Sequence, residues 1–224
     1  MKGLHILRVV NTLQQVSNNR VITTRNAIEL CLASHQRLIA TVSQIDDARV
    51  RKPSILPGWT VGHVLTHIAR NADGHVSRLE GALRGEDVPR YPGGSAQRDE
   101  DIEAGAGRTA EELLDDITSS AVRLQETWRR CETEGWPNSH LMATDKWRTQ
   151  ESPLRRLREV EVHHADLGLD YTAADWPDLY VQWELAATLP SLPERLEGDD
   201  KTRAFLNWLI GRADLPPGFR LADW

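Results

Sequence analysis

Apolar residues return every three or four positions through most of the chain, with polar residues between them. That period marks amphipathic helices. A first stripe of Ile28, Leu32, His35, Leu38, Ile39, Val42 and Ile45 predicts a long helix capped by Thr24. Pro53 and Pro57-Gly58 then break the chain. Thr60 caps a second helix, which turns Val61, Val64, Leu65, Ile68, Ala72, His75, Leu79 and Leu83 inward and stops near Gly85. Residues 85–98 read as a loop, with Tyr91 and Arg98 as candidates for a pocket rim, and residues 99–108 as a short helix ending at Gly105-Ala106-Gly107. Thr109 and Glu112 have capping-box spacing ahead of the stripe Leu113, Leu114, Ile117, Ala121, Leu124 and Trp128. Residues 133–151 are irregular, with room for a brief strand from His140 to Thr144. Ser152-Pro153 reads as a cap followed by proline at the first helical position, opening a fourth helix that ends at Gly168. Later helices are expected from Asp175-Trp176-Pro177 to Leu189 and from Lys201 to Arg212, before an irregular tail. Period-two segments are scarce. The pattern predicts a mainly α protein: an N-terminal extension over 1–23, a four-helix bundle over 24–170 and a short C-terminal helical appendage over 171–224.

Composition narrows the function classes. Of the 224 residues, 40% are hydrophobic and 27% charged, enough for a sizeable core and against wholesale disorder. A net charge of −6 does not indicate a basic surface for nucleic acid and leaves room only for a local basic pocket. Two cysteines, Cys31 and Cys131, make neither a disulfide framework nor a thiolate zinc site, and reduced thiols in the cytoplasm are expected. Asn11, Gln14 and Gln15 interrupt the apolar start, which makes a poor signal peptide. No run approaches the roughly 18 apolar residues of a membrane span.

Chemistry concentrates in the fourth helix. Glu159 and His163 are four apart and share a helix face, so a carboxylate and an imidazole are stacked there. Two such groups suit a divalent metal, and facing helices of a bundle are where a third ligand comes from. The second helix offers His63 and His67. Several readings stay open on spacing alone: His67 with Glu159 and His163; His63 and His67 together; Glu161 with His164; or packed and surface side chains with no metal. His35, His75 and His140 have nothing around them that points to a ligand.

The run Gly58-Trp59-Thr60-Val61-Gly62-His63-Val64-Leu65-Thr66-His67-Ile68-Ala69-Arg70-Asn71-Ala72 resembles the mycothiol-dependent maleylpyruvate isomerase family, part of the DinB-like helical metalloproteins. Tyr91-Pro92-Gly93-Gly94, Arg98 and the stretch Asp101 to Arg108 are similar to that family's middle segment, and Arg158 to Gly168 to its second motif. The resemblance covers roughly residues 24–180 and implies a DinB-like bundle with zinc bound by His67, Glu159 and His163. It makes His63 and His164 neighbours rather than ligands. Asp166 is a candidate to orient a ligand from behind. Leu206 to Arg212 is similar to the family's terminal Gly-Arg helix, so Arg212 is expected on a substrate carboxylate, although the α/β segment that usually precedes it is cut down here.

The resemblance also implies a reaction. Zinc would activate the thiol of mycothiol as a cosubstrate. The thiolate would then attack a small electrophile, either isomerising maleylpyruvate from cis to trans or transferring sulfur onto another acceptor. The rival expectation is a non-catalytic bundle that uses metal for stability, or an accessory interaction protein.

Overall fold

The computed structural model describes residues 22–140 and 148–221. The described chain falls into two compact units, one spanning Thr23–Trp176 and the other containing the residues from Pro177 onward. The expectations for the N-terminal extension and for most of the stretch from His140 to Thr144 fall outside the described residues; the near end of that stretch, His140, makes an isolated bridge with Arg148.

In the first unit, α1 is Thr24–Val42, α2 Asp47–Val50, α3 Val61–Leu83, α4 Gly94–Gly105, α5 Ala110–Glu134 and α6 Ser152–Asp166. Helix α3 packs on α5 and α6, and α1 on α6 and α5, which closes the ring of a four-helix bundle. Val64, Leu65 and Ile68 of α3, Leu38 and Val42 of α1, Leu113 and Ile117 of α5 and Val160 of α6 share one apolar core. All of these but Val160 belong to the sequence stripes. No described helix is long and apolar enough to cross a membrane.

Local chemistry sets the helix ends. Thr60 accepts from the His63 amide, and the His63 ring accepts the Thr60 amide in return, a reciprocal cap. Thr109 and Glu112 form the same motif. The cap of α1 is Thr23 rather than Thr24: its hydroxyl meets the Asn26 amide at 3.2 Å. Helix α4 begins at Gly94, five residues before the expected start, so the loop is shorter than 85–98. Ser152 is not a cap either. It is the first residue of α6 and fully buried, where His75 Nδ1 meets its hydroxyl at 2.9 Å and Trp128 Nε1 donates to it at 3.1 Å.

The loop before α4 lies along α3. Gly81 faces Val88 and Gly74 faces Arg90, each so closely that a Cβ would collide. These glycines and His67 are seven residues apart in turn, so one line on α3 carries all three. The loop descends that line, and α4 then brings Arg98 to the His67 ring.

The second unit holds α7 (Asp178–Thr188), α8 (Leu192–Arg195) and α9 (Asp199–Leu209). No strand occurs among its described residues. Phe205 packs on Trp208 and Phe219, with ring centroids 5.4 and 6.3 Å away.

Candidate metal centre

His67 sits two turns into α3 and is buried. Opposite it, α6 presents Glu159 and His163 one turn apart. One ligating atom from each of the three lies within 4.8 Å of the others. The Glu159 Oε2 atom is 3.0 Å from His67 Nε2 and 3.6 Å from His163 Nε2. The two imidazoles meet edge to face with centroids 4.6 Å apart. Among the described residues this is the one such group of three.

Each ring is also held from behind. Asp166 Oδ2 lies 2.8 Å from His163 Nδ1, so Nδ1 carries a proton and Nε2 turns toward Glu159. Arg98 Nη2 approaches His67 Nδ1 at 3.4 Å, and Trp59 packs on the His67 ring at 5.7 Å. Asp166 thus takes the orienting place that the sequence offered it.

The charges follow from this geometry. Burial disfavours an ionised Glu159, but hydrogen bonds from His163 and His67 outweigh it and hold the carboxyl well below its ordinary range. Burial lowers the His67 pKa, and the Glu159 hydrogen bond only partly opposes it. Burial also works against a charge on His163, yet the bonds to Asp166 and Glu159 overcome it and raise that pKa to about 9. The shorter contact to Glu159 belongs to His67, but the proton rests on His163. His163 faces two carboxylates, whereas His67 faces one carboxylate and the positive Arg98.

Two imidazole nitrogens and one carboxylate oxygen converging from two helices fit a zinc-like cation. Three such ligands leave one tetrahedral position for an incoming group.

The other candidates are occupied elsewhere. His63 is used in the α3 cap, and its Nε2 lies 3.1 Å from Glu103. Glu161 and His164 do not form a metal pair. Glu161 is buried and accepts from Ser34, from Tyr171 and, at 2.8 Å, from Arg37. His164 stacks on Tyr171 and lies 2.9 Å from the Thr41 hydroxyl; burial drives its pKa down to about 4. His35 and His75 are packed in the core. Arg212 belongs to the second unit, where it is exposed and its amide donates to the Asn207 carbonyl at 2.9 Å.

Two contributors escaped the sequence reading. Trp59 was visible only as the residue before the cap, not as a wall against His67. Arg156 sits in a basic run that looks solvated, yet it is fully buried.

Comparison with known proteins bears on the family and the fold. The family described as "Mycothiol maleylpyruvate isomerase N-terminal domain" matches residues 31–168. A crystal structure of the mycothiol-dependent maleylpyruvate isomerase is 27% identical, with TM-score 0.66, over 72% of this chain and 67% of that one. A crystal structure of a histidine-to-alanine mutant of an enzyme so named is 25% identical, with TM-score 0.71, over 79% and 74% of the two chains. No match was found among curated proteins.

Proposed function

The chain belongs to the mycothiol maleylpyruvate isomerase N-terminal domain family, and from that premise we propose that it is a zinc-dependent, mycothiol-using enzyme acting on a small electrophile. The carrying observation is the convergence of His67, Glu159 and His163. When bound, zinc would supply a fixed positive charge that favours the thiolate form of an incoming thiol.

The chain's residues have distinct parts in this reading. His67 and His163 offer nitrogens, Glu159 offers its carboxylate, and Asp166 holds the proton on His163 Nδ1 so that Nε2 is the ligating atom. Trp59 covers one side of His67 and limits water there. Arg212 is assigned to a substrate carboxylate by likeness of its Gly-Arg sequence. The sulfur comes from outside: burial pushes the Cys31 thiol up to about 12 and Cys131 up to about 11, so neither is a nucleophile at neutral pH.

Two outcomes fit a thiolate at this site. Addition to the cis double bond of maleylpyruvate leaves a single bond that rotates, and elimination of the sulfur then gives the trans isomer. Transfer instead keeps the new C–S bond: after addition the acceptor carbanion takes a proton, and after displacement the leaving group departs with its electron pair. The described residues of the second unit hold helices and no strand, where the resemblance implies an α/β segment, and this favours transfer to a different acceptor.

The test combines zinc, mycothiol and a panel of electrophiles including maleylpyruvate. Either the trans isomer or a mass-shifted conjugate is expected, lost on chelation while the helical circular dichroism signal persists. Unfolding on chelation, with no product from any acceptor, would instead establish a structural metal.

A further inference from the structure

We propose that Arg156 is a positioning residue for the metal centre, a buried guanidinium that fixes the register of the two ligand-bearing helices. The inference rests on the reading that a metal binds at His67, Glu159 and His163.

Arg156 is fully buried and lies three residues before Glu159 on α6, on a neighbouring part of the same face. Its Nη1 donates to the Ile68 carbonyl at 2.8 Å and to Asn71 Oδ1 at 2.9 Å. Ile68 directly follows His67. The Arg156 Nε donates to His35 Nε2 at 3.1 Å, which reaches α1. One planar group therefore ties α6 to α3 beside the first ligand and to α1 behind it.

The surrounding contacts explain why such a tie matters. Val64, Leu65 and Ile68 of α3 and Leu157 and Val160 of α6 are fully buried apolar side chains. Their attraction is non-directional and resists sliding weakly. A metal site needs its atoms placed to within about 0.5 Å. Hydrogen bonds from a rigid fork supply that direction, and the flexible ammonium of lysine does not.

The arrangement is also expensive for a purely structural residue. Among the described residues no carboxylate is hydrogen-bonded to this guanidinium, and its buried Nη2 has no hydrogen-bond partner. An apolar side chain at such a position commonly gives an equally stable core. What the arginine adds is register next to His67 and Glu159.

The experiment uses the full chain loaded with cobalt(II), whose visible spectrum reports ligand geometry, and zinc affinity measured by chelator competition. The variants are Arg156→Lys, Arg156→Met and Asn71→Ala, with Leu124→Ala as a core control on α5. Both Arg156 variants are expected to bind zinc about 10–100-fold more weakly and to shift the cobalt spectrum at saturation. Asn71→Ala, which removes one acceptor, should show a smaller loss in the same direction. Leu124→Ala should lower the melting temperature and leave affinity and spectrum unchanged. Wild-type affinity and spectrum in Arg156→Lys or Arg156→Met would overturn the inference alone. A wild-type chain that takes up neither metal would overturn the metal reading and this inference with it.

Discussion

Metal binding should displace one proton from this protein at neutral pH, and the proton should come from His163. With its pKa raised to about 9, the metal-free His163 is charged at pH 7. Only about 1% of the molecules then have the neutral ring a metal needs, which weakens apparent affinity by roughly 100-fold at pH 7. Each unit of pH between about 6.5 and 8 should strengthen zinc binding by about tenfold. The lowered pKa of His67 and the depressed pKa of Glu159 keep those groups out of this window. Calorimetry in buffers of different ionisation enthalpy measures the release directly, and close to one proton per zinc is expected at pH 7. In Asp166→Asn the partner that raises the His163 pKa is weakened, so the release should fall clearly below one. The same shift stabilises the metal-free fold, because the raised pKa favours the charged native ring. That contribution is complete below the ordinary histidine value and is lost as pH rises through about 9. Its upper limit is on the order of 3 kcal/mol, and it describes the same pair as the Glu159 shift, so the two are not added. A release near zero at pH 7, or a log affinity flat from 6.5 to 8, would refute the charge assignment.

Two further substitutions test the packing and the assignment of the two carboxylates. Gly62→Ala should lower the urea midpoint, because its methyl would fall on the Ala106 carbonyl oxygen, a backbone atom. Overpacking of about 1–3 kcal/mol outweighs the ~1 kcal/mol that alanine gains over glycine in a helix; an unchanged or raised midpoint would contradict the close approach. Glu161→Gln should destabilise the fold by about 2–3 kcal/mol, through weaker bonds to Ser34, Arg37 and Tyr171, and leave zinc affinity alone. Glu159→Gln should do the reverse, weakening zinc binding at least about 100-fold with the helices intact. Zinc loss in Glu161→Gln, read by chelator competition, would restore the Glu161–His164 pairing.

The bundle was legible because its stripes are long and regular. The misplaced boundaries have local causes. Thr23 and Thr24 carry the same hydroxyl, and only backbone geometry decides which one caps. The first turn of α4, Gly94 to Arg98, has no apolar stripe, so periodicity is blind to it. Ser152 has the residue type of a cap, but Trp128 and His75, far away in sequence, claim its hydroxyl. At the site, spacing narrowed the ligands to a few pairings, and the family motifs selected one. Arg156 was hidden for a different reason. Arg155, Arg156 and Arg158 look alike as letters, and only the assembled bundle buries the middle one.

Helix α6 carries two polar pairs on different faces, and their environments separate their roles. Glu161 and His164 are tied by protein donors from α1 and by Tyr171, and Trp176 Nε1 donates to the Glu161 carbonyl at 3.1 Å. That face anchors the segment that follows α6. Glu159 and His163 face α3, where the carboxylate lies between two imidazoles and the shared proton rests on His163. The charged His163 ring therefore offsets Glu159 on one side and meets Asp166 on the other. A divalent cation bound there would take over the neutralisation of Glu159 that the proton on His163 provides, and that proton would leave as the cation enters.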